Sequence, residues 1–332
     1  MTNNFGKYFM VGIPGLVLDS STEDLVRTQG IHNFIIFSRN VESPDQLRKL
    51  CQDLNAACQD YGLPLPFISI DQEGGTVARL LEPFTQFKDA RVLAESGEPE
   101  KELAAFARTC AKDLINVGIN MNLAPVLDIC PSGKGFFMEH RSLGNDPYKV
   151  GELGCLVIDE MQKLGVAACG KHFPGLGAAK LDPHLQLPTV SKKHEEIVGG
   201  DLIPFQQAMA AGVAAIMTSH TIYSDIDDGI PATLSPFILS TMAREQLGYD
   251  GLIITDDLEM GAIENEGSIH EAAVKSFVAG ADILLICHDH DKIRRSFTAF
   301  EEAVDEGVIS ADRLQDSSRR IDSAHKLFIL IV

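Results

Sequence analysis

The stretch Gly251-Leu252-Ile253-Ile254-Thr255-Asp256-Asp257-Leu258-Glu259-Met260 decides the fold. Leu252–Ile254 is an apolar run as long as a buried strand, and two carboxylates follow soon after it. Seven other runs of this kind punctuate the chain: Tyr8–Ile13, Phe34–Phe37, Phe67–Ile70, Met121–Ala124, Val166–Cys169, Ala214–Met217 and Ile283–Ile286. Several end in the same way. Asp71 follows the third run, Pro125 and Asp128 the fourth, Lys171 and His172 the fifth, and Thr218 and His220 the sixth. Between the runs lie helix signals. Ser43-Pro44-Asp45-Gln46 supplies a cap, a first-turn proline and a capping-box glutamine. Ser235-Pro236 opens a helix that Gly248 ends. Residues 100–116 carry Leu103, Phe106, Cys110, Leu114 and Ile115 at helical spacing. Residues 149–164 do so with Val150, Leu153, Val157 and Met161, and Gly165 stops them. Strand–helix pairs in this number predict an α/β fold, a (β/α)8 TIM barrel forming one domain over 1–332. A doubly wound open sheet is the rival, and the polar groups gathered at strand C-termini around the whole series decide against it.

Composition narrows the function. The chain has 332 residues, 45% hydrophobic and 23% charged, which excludes disordered and fibrous classes. Acidic residues number 47 against 28 basic, a net charge of −19. Such a surface repels nucleic acid and anionic lipid, so neither nucleic acid nor a membrane is expected as a partner. The seven cysteines are odd in number and form no C-x-x-C, which disfavours a disulfide framework and a zinc ribbon and favours a reducing, cytoplasmic setting. Met1–Leu18 does not read as a signal peptide, because glycines and a proline break its apolar stretch. Leu327–Val332 is apolar but far too short to span a bilayer, and is expected to tuck against the body.

Three motifs are weak. Gly175-Leu176-Gly177-Ala178-Ala179-Lys180 lacks the third glycine of a dinucleotide loop, and Pro131-Ser132-Gly133-Lys134-Gly135 reads as a turn, not a phosphate loop. The neighbours in His288-Asp289-His290-Asp291 do not converge on one metal ion unaided. Three constellations are stronger. In Ser69-Ile70-Asp71-Gln72-Glu73-Gly74-Gly75-Thr76-Val77-Ala78-Arg79 a strand delivers Asp71 to the barrel mouth, where a carboxylate can accept two bonds from a vicinal diol, and Arg79 returns along the loop. In Lys171-His172-Phe173-Pro174-Gly175 a strand end brings a cation and an imidazole to the mouth. Asp182-Pro183-His184 follows, and in an extended segment Asp182 and His184 lie on one side, so the carboxylate can hold and polarise the imidazole. A histidine so placed could protonate a leaving oxygen and then deprotonate water. Asp256, extending its strand, suits the nucleophile of a retaining glycosidase, with Asp257 as cap or support.

Together these motifs resemble glycoside hydrolase family 3, in particular its bacterial β-N-acetylhexosaminidase branch of NagZ type. The resemblance runs from Gly12 to about Gly280 and is also carried by Asn122-Leu123-Ala124-Pro125-Val126-Leu127-Asp128 and Arg141-Ser142-Leu143-Gly144. It implies a two-step retaining mechanism with Asp256 as nucleophile, His184 as acid/base and Asp182 as its partner. Asp71, Arg79, Arg141, Lys171 and His172 are implied to grip a terminal N-acetylglucosamine. The implied substrate is a small GlcNAc-containing muropeptide met in cell-wall recycling, handled by a monomer or weak dimer, with no metal and no organic cofactor. Leu176, Ala178, Ala179 and Pro183 depart from the branch, all within the loop from Gly175 to Leu187, which is expected to close over the leaving group. A β-glucosidase, a phosphorylase acting on the same sugar and an inactive carbohydrate-binding barrel are the competing readings. The first takes its acid/base from a second domain and lacks the Asp-x-His loop.

Overall fold

The computed structural model describes residues 5–177, 187–227, 229–265 and 267–329. All eight apolar runs contain barrel strands: β1 (Phe9–Gly12), β2 (Phe34–Ile36), β3 (Ile68–Ile70), β4 (Met121–Asn122), β5 (Ala167–Phe173), β6 (Ala215–Thr218), β7 (Leu252–Ile254) and β8 (Leu284–Ile286). They pair in parallel and in chain order, with Val11 opposite Phe34, Phe34 opposite Ile68, Met121 opposite Ala167 and Ala215 opposite Leu252. Phe9 of β1 faces Leu284 of β8, and a parallel bridge from Ile254 to Ile283 joins β7 to β8, so the sheet closes on itself. Parallel strands covered on both sides are mostly apolar, and every residue of these eight strands is buried.

One principal helix follows each strand: α1 (Ser20–Gln29), α2 (Pro44–Asp60), α3 (Pro99–Val117), α4 (Pro147–Gln162), α5 (Ile203–Ala210), α6 (Phe237–Gln246, π-helical), α7 (Ile269–Ala279) and α8 (His290–Asp305). A further helix, α9 (Ala311–Phe328), packs across the start of the barrel. The expected (β/α)8 barrel is therefore the observed one. Local signals explain several ends. Ser43 Oγ accepts the Gln46 amide at 3.2 Å, and Gly165 and Gly248 end their turns at φ of +89° and +66°. The Gln46 side chain reaches back not to Ser43 but to the Glu42 amide, at 2.9 Å, one residue outside a true capping box.

Some expectations need correction. Ile115 is exposed, because in α3 the stripe through Leu103, Phe106, Cys110 and Leu114 already faces the sheet and the next position turns outward. Strand β5 runs on past the Val166–Cys169 run to Phe173, so Lys171 and His172 lie within its last residues rather than just after it. A short parallel ladder, Thr189–Val190 with Ile222–Tyr223, was not foreseen. At the C-terminal end Phe328 and Ile329 are buried but Leu327 is exposed.

The closure between β1 and β8 is sealed by aromatic rings. Phe300 of α8 lies 4.8 Å from Phe277 and between 5.5 and 5.7 Å from Phe5, Tyr8 and Phe9. Truncating a ring in such a cluster loses its transfer energy and leaves a cavity. Phe300→Ala is expected to lower the unfolding free energy by about 3–5 kcal/mol, read from urea denaturation.

Candidate active site

At the C-terminal ends of β3, β5 and β7 the strands open into one small cleft of about 90 Å³. Asp71, Arg79, Arg141, Lys171, His172 and Asp256 all line it. Asp182 and His184 lie outside the described residues, as do Ala178, Ala179 and Pro183, so the loop from Gly175 to Leu187 is described only at its two ends.

The loop after β3 is shaped by its backbone. Asn122, ending β4, donates to the Gln72 carbonyl and accepts the Gln72 amide, both at 3.0 Å, which pins the chain just past Asp71. The Gln72 side chain then accepts the amides of Arg79 and Leu80 at 2.8 and 3.1 Å. Between them Gly74 and Gly75 turn at φ of +96° and +54°, and a Cβ on Gly75 would sit 1.8 Å from an Asp89 oxygen. The glycine pair thus permits the turn that brings Arg79 back over the cleft.

A buried charge network forms the closed wall. Lys171 Nζ lies 2.7 Å from Asp71 Oδ1 and 2.7 Å from Glu73 Oε1. Arg141 grips Glu73 through two parallel bonds of 2.8 and 2.9 Å. Arg79 approaches Asp71 at 3.3 Å, and its guanidinium lies 5.5 Å above the Phe37 ring. Burial alone would raise the carboxyl pKa values, but Lys171 with Arg79 holds Asp71 below its usual range, and Arg141 with Lys171 holds Glu73 far below its own. Lys171 is held above its usual range despite its burial, by Asp71 and Glu73. Asp71, Glu73, Lys171 and Arg141 are therefore charged at neutral pH. Glu73 was quoted in the sequence motif without a role. Its spacing of two from Asp71 was the available signal, since side chains two apart in extended backbone share a side.

His172 lies against Asp128, with the ring Nδ1–H donating to Oδ2 at 2.7 Å. Asp256 occupies another wall, its Oδ1 accepting the Asp257 amide at 2.9 Å. Asp257 supports the turn, as expected, by accepting the amides of Glu259 and Cys287 at 3.1 and 3.2 Å. His220 Nε2 donates to the Asp257 carbonyl at 2.9 Å, and burial holds its pKa below the usual range, so it is a neutral brace beneath the nucleophile candidate. At the loop base, the Gly175 carbonyl accepts the Tyr223 hydroxyl at 2.9 Å, and Leu176 is buried against the cleft.

The weak motifs have local explanations. The turn at 131–135 receives the Glu139 carboxylate on its Gly133 and Gly135 amides. In 288–291, Asp289 caps α8, His290 bonds Ser21 and the Gly12 carbonyl, and His288 meets Arg39. Among the described residues no group of three or more His, Cys, Asp or Glu could hold a metal ion, and no helix is long and apolar enough to cross a membrane. A larger hollow, about 430 Å³, sits at the opposite end of the barrel near Met209, Leu247 and Phe328, where Asp250 is engaged by Arg320 at 3.0 Å.

A barrel whose C-terminal mouth sets a strand-tip aspartate in one cleft with a buried clamp of cations and carboxylates has the catalytic face of a glycoside hydrolase. The glycosyl hydrolase family 3 N-terminal domain matches residues 10–324, and the chain belongs to that family. A β-hexosaminidase of Nitrosomonas eutropha is 32% identical over 327 residues, covering 96% of this chain and 92% of its own. Among solved structures, a family 3 β-N-acetylglucosaminidase from a Paenibacillus species superposes with a TM-score of 0.95 at 34% identity over all of this chain, which spans 64% of the Paenibacillus chain. NagZ of Neisseria gonorrhoeae, solved in complex with N-trifluoroacetyl-D-glucosamine, superposes at 0.77 with 27% identity, covering 96% of this chain and 98% of that one.

Removing Glu73's charge leaves Arg141 and Lys171 without it in a buried wall. Glu73→Gln is expected to cost about 3–5 kcal/mol of stability at neutral pH. Because the folded pKa of Glu73 lies below its ordinary 4.5, the folded protein binds fewer protons than the unfolded chain, and this contribution is complete well above pH 4.5 and withdrawn as pH falls below it. Urea unfolding of wild type and variant should therefore converge as the pH is lowered through that range.

Proposed function

We propose that the chain is a retaining β-N-acetylhexosaminidase acting as one catalytic domain on terminal β-linked N-acetylglucosamine, with muropeptides such as N-acetylglucosaminyl-anhydro-N-acetylmuramic acid as natural substrates. The observation that carries the reading is the convergence on one cleft of Asp256 and the five clamp residues. The names of the relatives support the same sugar. Free thiols at all seven cysteines support a reducing, cytoplasmic setting.

In this mechanism Asp71 and the cations around it bind sugar hydroxyls, using groups whose charges are already fixed and need not reorganise. An Asp256 carboxylate oxygen attacks the anomeric carbon as the bond to the leaving oxygen breaks, and that oxygen takes a proton from His184. Water then attacks the same carbon, gives its proton to His184 and frees the Asp256 carboxylate. Asp182 orients the imidazole and stabilises its charged form. A histidine in this role avoids a second carboxylate facing Asp256 across the bond.

Release of N-acetylglucosamine from its p-nitrophenyl β-glycoside tests the reading. Asp256→Asn is expected to lower kcat by roughly 10³-fold or more, and His184→Ala by roughly 10²–10⁴-fold. NMR of the first-formed sugar should show the β anomer. First formation of the α anomer, or a sugar phosphate in place of the free sugar in phosphate buffer, would contradict it.

A further inference from the structure

The clamp's imidazole and the base of the loop are held by one carboxylate that the mechanism does not use. Asp128 is wholly buried and accepts three hydrogen bonds. Its Oδ2 takes both the backbone N–H of His172, at 3.1 Å, and the ring Nδ1–H, at 2.7 Å, while Oδ1 takes the backbone N–H of Leu176 at 2.5 Å. The Asp128 carbonyl accepts the Ser142 hydroxyl at 2.6 Å, beside Arg141. His172, Leu176 and Arg141 all line the cleft. The neighbouring backbone leaves little slack, because a Cβ on Gly177 would lie 2.0 Å from the Ile129 carbonyl oxygen.

We infer that Asp128 is a positioning residue for sugar binding, acting through His172 and Leu176 without touching the substrate. A carboxylate suits the place because it accepts only. All three partners are N–H donors, and an amide would turn its own N–H groups on at least one of them. With Nδ1–H committed to Asp128, the His172 ring has one orientation at the cleft. The ends of β4 and β5 are thereby set relative to each other at the cleft.

The inference rests on the cleft being an N-acetylglucosamine site, and its test is arranged to separate the two. Asp128→Asn keeps shape and volume. It is expected to weaken competitive inhibition by N-acetylglucosamine about tenfold and to lower kcat/KM about 10–100-fold, mainly through KM. A residue that only stabilises the fold would shift Tm and leave both constants of the folded enzyme unchanged, and that result overturns the inference. Ring ¹⁵N NMR of wild-type His172 decides the matter even if the variant does not fold or the sugar does not bind. A protonated Nδ1 held in one environment supports the inference, and an unprotonated Nδ1 or a rapidly exchanging ring overturns it. A wild-type protein that neither binds nor releases N-acetylglucosamine counts against the proposed function alone.

Discussion

The Lys171 ammonium, shared between Asp71 and Glu73, is the contact on which the site depends. It reaches from β5 across the end of β4 to the tip of β3, so it fixes the spacing of two strands that do not pair. Withdrawing such charges from water is expensive, and only close, hydrogen-bonded partners offset the loss. The partners here are close: Arg141 closes on Glu73 from one side and Arg79 on Asp71 from the other. Three cations face two carboxylates, which leaves the wall positive in a protein whose net charge is −19. A neutral sugar entering the cleft meets donors and acceptors that are already oriented.

Around this wall the barrel does what its geometry favours. Strand interiors are filled mainly by apolar residues, and the charged groups gather towards the C-terminal ends of the strands. Asp256 and His172 stand at such ends, and each is braced by neighbours that make no use of the cleft themselves: Asp257 and His220 under the first, Asp128 beside the second. Rigidity of this kind matters because a reacting group displaced by an ångström loses much of its advantage.

Much of this was legible in the sequence. Eight apolar runs, their polar tips and the helix signals between them specify the barrel, and side-chain type at each tip specifies the chemistry of the mouth. Other features were not legible for physical reasons. Ile115 fits the helical spacing, but which edge of a broad apolar stripe faces solvent depends on the packed sheet. The extension of β5 through Lys171 and His172 is hidden because charged residues rarely lie within a buried strand. Glu73 and Asp128 are two acidic residues among 47. The spacing of Glu73 from Asp71 and the place of Asp128 after the fourth run single them out, but what they do shows only once Arg141, Lys171, His172 and Leu176 are seen converging on their oxygens.

The most direct trial of the central claim is covalent trapping. Incubation with a fluorinated N-acetylglucosaminyl fluoride, whose fluorine slows breakdown of the glycosyl-enzyme, followed by proteolysis and mass spectrometry, should place one sugar on the peptide containing Asp256 and on that side chain. A label on a different residue, or turnover with no residue labelled while hydrolysis proceeds, would contradict the account.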